Sequence, residues 1–493
     1  MRRPIFMMLL ASSAMHIDSF AQQQPPAVTQ LSVQAQAGVK ELECEKPLPP
    51  VRKAVAANPD PMELPSAEMV QNGMQEDPPA DALPAGVLPA AVAASLPAIR
   101  PVDGYRVAIW GDSHLAAGFF TQELVKLLKL PANAEPGALI PASMGRAGVR
   151  LPIRRSCVSS GWQYEPAYLG GAGGAAPGPG LVNMVSDQAG STLSWDVRDA
   201  ASLPRYERVR ILYQQSEAPM VIGVSVDGGV EKEVRLGEKA GPAVLELVAD
   251  QPISQVTIRL VDARFRFHGL ELFSKKPAAF QLDVFGYPGA TIAGWKSANL
   301  AYLNSWFQQS NYQLVMLEFG TNEGNAKPFN LAGYRKTLVE AVGNMRSVFP
   351  TAACVLIAPG DRGVLVPRSL NVRVKNTLGQ RGRHKTAEKH LLAHAPANTH
   401  HGQRKSPPKV DVFHYSRIHL DIEQVQAEVA ANAGCSSWSM LHAMGGMGSS
   451  YKWARQSPAL MSSDMIHFTV AGYQRLAQQF ATDMGWRAMF VGE

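Results

Sequence analysis

Two textures of hydrophobic patterning divide this chain. Residues 107–110 form a continuous apolar run, and over 115–130 the apolar residues Leu115, Phe119, Phe120, Leu124, Leu127 and Leu128 recur at helical spacing. The same succession returns beyond residue 280, as 314–319 before 331–348, 355–358 before 417–433, and 437–441 before 470–486. Apolar runs without alternation are strands covered on both faces, and amphipathic helices are what covers them. The pattern therefore predicts an α/β domain over residues 101–150 and 280–493, built on a parallel sheet of about five strands.

Between 151 and 279 the texture changes to short alternating runs, at 191–197, 209–214, 220–226, 232–236, 244–248, 256–261 and 269–273. Asp227-Gly228 supplies a hairpin turn between two of them. Seven short strands without a helical pattern predict an all-β sandwich, inserted after the first strand and helix of the α/β domain. Within it Trp195, Tyr206 and Tyr213 are candidates either for the core or for a sugar-stacking face.

Residues 22–100 hold 13 of the 36 prolines, much Ala and Gln, and few large apolar side chains. So little burial cannot offset ordering entropy, which predicts a disordered leader. Ahead of it, Arg2 and Arg3, the eleven apolar or small residues 5–15 and Ser19-Phe20-Ala21 read as a secretory signal peptide over residues 1–21. An apolar run of that length is too short to span a bilayer, so the expectation is an exported protein without a membrane span.

An oxidising compartment permits disulfides, and Cys44, Cys157, Cys354 and Cys435 allow three pairings. The sequence does not choose among them, although Cys354 and Cys435 both fall near strands of one domain. The net charge of +6 points to an anionic partner, and export favours an acidic envelope polymer over nucleic acid. Residues 375–410 are rich in Lys and Arg with a single acid, Glu388, and carry His384, His390, His394, His400 and His401. These histidines keep no ligand spacing and have no Cys or carboxylate cluster beside them, so a basic solvated loop is expected rather than a metal site. No cofactor or metal is called for.

Four strings carry chemistry. Gly111-Asp112-Ser113 ends the first strand and opens a helix, placing the Ser113 hydroxyl at the carboxyl edge of the sheet, where open α/β sheets bind ligands. Read alone, Asp112 and Ser113 are equally good helix caps. Asp464-Met465-Ile466-His467 offers an imidazole to take the serine proton and a carboxylate to fix its tautomer, provided a turn brings the two together. Stabilising the resulting oxyanion needs donors, and the Ser113 N–H, the Gly289 N–H in Pro288-Gly289-Ala290-Thr291 and the Asn322 side chain in Gly320-Thr321-Asn322 all follow strands or begin helices.

In register, these blocks resemble those of the SGNH (GDSL-type) hydrolase superfamily: Gly111-Asp112-Ser113, Tyr287-Pro288-Gly289-Ala290-Thr291, Gly320-Thr321-Asn322 and Asp464-x-x-His467. The resemblance covers residues 105–150 and 280–486. It implies a flavodoxin-like sheet, a Ser113, His467 and Asp464 triad, and an oxyanion hole from Ser113, Gly289 and Asn322. His114 departs from the leucine that many members carry after the serine. An SGNH domain split by a sandwich resembling a carbohydrate-binding module, behind a signal peptide, is similar to the periplasmic peptidoglycan O-acetylesterases. That implies removal of acetyl from the C6 hydroxyl of N-acetylmuramic acid in cell-wall glycan. Two alternatives stay open: an O-acetyltransferase or esterase for another acetylated polysaccharide, and a non-catalytic protein that binds envelope glycan.

Overall fold

A computed structural model describes residues 25–44, 61–76, 104–128, 138–199, 201–237, 239–276, 278, 280–308, 310–368 and 410–486. The expected signal peptide and most of the basic His-rich segment 375–410 lie outside the described residues. At the centre is a five-stranded sheet whose strands, from one edge to the other, are Phe280–Gly286, Tyr105–Gly111, Tyr312–Glu318, Ala353–Ala358 and Ser436–Ser439. Every adjacent pair is parallel. Counted along the chain the order is 2-1-3-4-5, the flavodoxin-like arrangement, with a switch point beside Tyr105–Gly111.

Alternate residues of that strand enter two cores. Ala108 and Trp110 face one, while Val107 and Ile109 face the other, where the helices Phe119–Leu127 and Val470–Asp483 pack. The second of these helices starts at Thr469, whose Oγ1 accepts the Gly472 N–H, and it buries Tyr473, Leu476, Ala477 and Phe480 along one stripe. The single helix expected over 115–130 is two, Ser113–Ala116 and Phe119–Leu127, interrupted at Gly118, where the backbone turns left-handed.

The inserted segment forms two sheets, mostly antiparallel, that face each other through contacts such as Trp195 against Phe267 at 5.3 Å. Asp227 and Gly228 both take positive φ, which matches the twist of the Met220–Val226 and Lys232–Leu236 hairpin. Trp195, Tyr206 and Tyr213 are buried, so they belong to the core and present no stacking face. Two boundaries differ from expectation. Ala138–Pro141 already pairs with Phe265–Phe273, so the insertion starts ahead of residue 151. The two sheets also share one continuous core with the Trp110 face of the parallel sheet, anchored where the Trp110 indole donates to Pro179 O and Tyr168 stacks on Tyr287 at 4.6 Å.

The leader expected to be disordered contains structure. Ala27–Ser32 adds a parallel edge strand beside Gly241–Ile253, and Leu31, Val33 and Ala35 pack on the core at alternate positions. A disulfide between Cys44 and Cys157 pins the end of this stretch, and Ala67–Glu76 is a helix. Backbone pairing and covalent closure supply what apolar content lacks. Cys354 and Cys435 form the second disulfide, between neighbouring parallel strands. Among the described residues no helix is long and apolar enough to cross a membrane.

Candidate active site

The residues singled out in the sequence meet at the carboxyl edge of the parallel sheet. Gly111 ends its strand so close to Glu318 that a Cβ would lie 2.6 Å from Glu318 Oε2, so only glycine permits the turn into Asp112 and Ser113. Asp112 is fully buried and caps the short helix, its Oδ1 accepting the His114 N–H at 2.9 Å. That fixes Ser113 at the first helical position, half-buried and facing the loop before the last helix.

In that loop the turn needed to join Asp464 to His467 is present. Asp464 Oδ1 accepts the backbone N–H groups of Ile466 and His467, each at 2.9 Å, and Met465 between them takes φ 61°. Met465 is buried, and its carbonyl accepts the Gly363 N–H at 3.1 Å, so packing holds a backbone conformation that a side chain disfavours. Asp464 Oδ2 lies 2.7 Å from His467 Nδ1, and His467 Nε2 lies 2.9 Å from Ser113 Oγ. With the Nδ1 proton donated to Asp464, Nε2 is left as the acceptor of the serine O–H. Burial opposes ionisation of Asp464, but its bonds from the His467 ring and from two backbone N–H groups outweigh that and hold the carboxyl below its usual range.

The expected oxyanion donors lie beside this chain. Gly289 has φ 82° and open space where a Cβ would stand, and hydrogen bonds among the described residues leave its N–H and that of Ser113 uncommitted. Asn322 Nδ2 donates to Ala290 O at 2.9 Å, which orients the amide, while its contact with Asp112 Oδ2 is long, at 3.4 Å. One strong bond positions the group and one weak bond leaves a hydrogen available to an incoming oxygen.

Several groups that the sequence reading left out shape the site. Glu323 accepts the Ile292 N–H at 2.8 Å and the Gly320 N–H at 3.0 Å, clamping the glycine and asparagine loops together. Glu318 is buried at the end of its strand, and its Oε2 accepts the Asp112 N–H at 3.1 Å. Desolvation pushes the Asp112 carboxyl up to about 7 and raises Glu318 and Glu323 as well, and repulsion from neighbouring carboxylates adds to it at Asp112 and Glu318. A glutamate inside the apolar run 314–319 was a visible signal of such a site. His114 is buried, 3.2 Å from Tyr473 Oη, with its ring centroid 5.5 Å from that of His467. Burial pushes His114 down to about 3, so it stays neutral beside an imidazole that must become positive.

No family model and no curated protein matches the chain. Among solved structures, a peptidoglycan O-acetylesterase matches 78% of this chain and 91% of its own at 20% identity, with a TM-score of 0.53. A family two carbohydrate esterase from Cellvibrio japonicus matches 71% of this chain and 98% of its own at 13% identity, with a TM-score of 0.23. The likeness to the first shows a shared fold, which with the 2-1-3-4-5 strand order is an SGNH-like α/β architecture.

Proposed function

We propose that the protein is an exported serine esterase that removes O-acetyl groups from cell-wall glycan through an acyl-enzyme. The observation that carries this reading is the hydrogen-bonded chain from Asp464 through His467 to Ser113, which ends beside uncommitted donors at the sheet's carboxyl edge. Ser113 Oγ attacks the acetyl carbonyl as His467 Nε2 takes its proton, and the oxyanion is met by the Ser113 and Gly289 N–H groups and the Asn322 amide. His467 then returns the proton to the departing sugar hydroxyl. Water, deprotonated by the same imidazole, attacks the acyl-enzyme and releases acetate. Asp464, kept ionised, holds the ring and stabilises its positive form.

The openness of the site favours a small acyl group on a large carrier. The Asp464 and His467 side chains are 47% and 38% exposed, and Gly289 lies at the surface, so a glycan strand can reach Ser113 without entering a tunnel. The basic charge of the chain suits an acidic wall polymer, and the sequence of residues 1–21 suits export to the periplasm. Within that class we propose O-acetylated peptidoglycan, acetylated at the C6 hydroxyl of N-acetylmuramic acid, with the two-sheet insertion serving as a carbohydrate-binding-module-like unit against the strand. Acetate release from O-acetylated peptidoglycan compared with acetylated xylan tests the substrate, and preference for peptidoglycan is expected. Preference for xylan would refute the substrate, and acetate passed to an added saccharide in place of water would refute hydrolysis.

A further inference from the structure

Beside the triad loop stands a cation that the chemistry above does not use. Arg362 follows the fourth strand in the segment Pro359-Gly360-Asp361-Arg362-Gly363, and the Gly363 N–H bond to Met465 O ties that segment to the residue next to Asp464. On its other side, Arg362 Nη1 donates to Asn325 Oδ1, three residues beyond Asn322. The guanidinium lies over Tyr415, with its central carbon 3.8 Å from the ring centroid. Thus it bridges the two loops that carry His467 and Asn322.

Its partners leave it unsatisfied. Among the described residues no carboxylate lies within ion-pair distance of Arg362, and its Nε is buried without a hydrogen-bond partner. Burial lowers its pKa, an effect that only the more distant charge of Asp464 and the Tyr415 hydroxyl oppose. A half-buried guanidinium held by Asn325 and an aromatic ring, with no carboxylate partner among the described residues, is positioned for a planar, two-oxygen anion, because its donors match a carboxylate. Asp464 cannot serve as that anion, since its oxygens are committed to His467 and Ile466.

We infer that Arg362 is a specificity-determining residue that binds a carboxylate of the glycan close to the acetylated hydroxyl, so that the site selects anionic over neutral acetyl esters. The inference rests on the esterase reading and narrows its substrate class. The carboxylate acts as an anchor: it takes no part in the acyl transfer and holds the ester over Ser113.

The test compares one O-acetylated muramyl saccharide carrying a free lactyl carboxylate with the same saccharide as its carboxamide. The wild-type enzyme should show a kcat/KM for the carboxylate at least about tenfold higher, the range of a charge-assisted hydrogen bond, and mostly through KM. Raising the salt should narrow the gap. R362Q should collapse the ratio toward one, and R362K, which keeps charge without the fork, should restore part of it. Binding of the two saccharides to S113A protein and to its R362Q derivative, measured by calorimetry, reads the same preference without turnover. Equal affinity for the two forms, or a ratio unchanged in R362Q, would overturn the inference. Failure of the esterase reading looks different, because wild type would then leave p-nitrophenyl acetate and both saccharides intact while the calorimetric preference could still stand.

Discussion

Replacing Asn322 by alanine should separate rate from binding. In the resting site the Asn322 amide makes one firm bond, 2.9 Å to Ala290 O, and one long contact, 3.4 Å to Asp112 Oδ2. The hydrogen on the long contact is the one an oxyanion would take, and a donor that strengthens its bond only in the tetrahedral state contributes to kcat more than to KM. Loss of one such donor costs ~3 kcal/mol, so kcat on p-nitrophenyl acetate should fall about 10²–10³-fold with KM nearly unchanged. A second, independent loss follows from the bond to Ala290: with the amide gone, a carbonyl beside the glycine loop is left unpaired, at ~1–3 kcal/mol of stability. Thermal unfolding with the same preparation measures that term and shows whether the variant is folded at the assay temperature. If the folded variant lost less than about fivefold in kcat, or if KM absorbed the loss, Asn322 would not be an oxyanion donor.

Other consequences follow from the surroundings of the triad. Because Asp112 and Glu318 are pushed upward, the folded protein keeps protons that the unfolded chain gives up between the ordinary carboxylate value and about 7 for Asp112, so stability must fall as pH rises through that window. E318Q removes one of the two groups that hold such a proton, and its melting temperature should vary less between pH 5 and 8 than that of wild type; a steeper dependence would contradict the assignment. Tyr168 of the insertion stacks on Tyr287, two residues before Gly289, so Y168A should lower kcat on small esters as well as on polymer by roughly tenfold, through a loosened Gly289 loop. An effect confined to polymer would instead make the insertion a pure binding unit. The Cys354–Cys435 bridge closes a separation of 81 residues, for which chain entropy gives about 4.5 kcal/mol, so the double alanine variant should unfold at markedly lower denaturant.

The parallel sheet was legible because buried strands and their covering helices leave periods that no other element leaves, and 331–348 shows it at the observed bounds. The serine, glycine and asparagine blocks could be placed because each follows such a strand, whereas Asp464 and His467 lie in the loop before the last helix. What escaped was set by contacts distant in sequence. The strand Ala27–Ser32 depends on an edge offered by residues more than 200 positions away, and composition around it says the opposite. The role of Tyr168 as a brace for Tyr287 and the clamp made by Glu323 likewise arise only after the loops converge. The core that the sandwich shares with the parallel sheet escaped for the same reason: alternation tells which side of a strand is apolar, and does not tell that the Trp110 face of another sheet completes it. Arg362 left no signal, because its neighbours Asn325, Tyr415 and Met465 belong to three separate segments.

The central claim is that Ser113 is a nucleophile activated by His467. Incubation with a serine-directed alkyl phosphonate, followed by peptide mass mapping and an activity measurement on the same sample, tests it most directly. One phosphonyl group per chain should appear on Ser113, with acetate release lost in proportion, while S113A takes no label and keeps less than about a thousandth of the rate, and H467A labels far more slowly. A label elsewhere, or S113A retaining more than about a tenth of wild-type activity, would contradict the account.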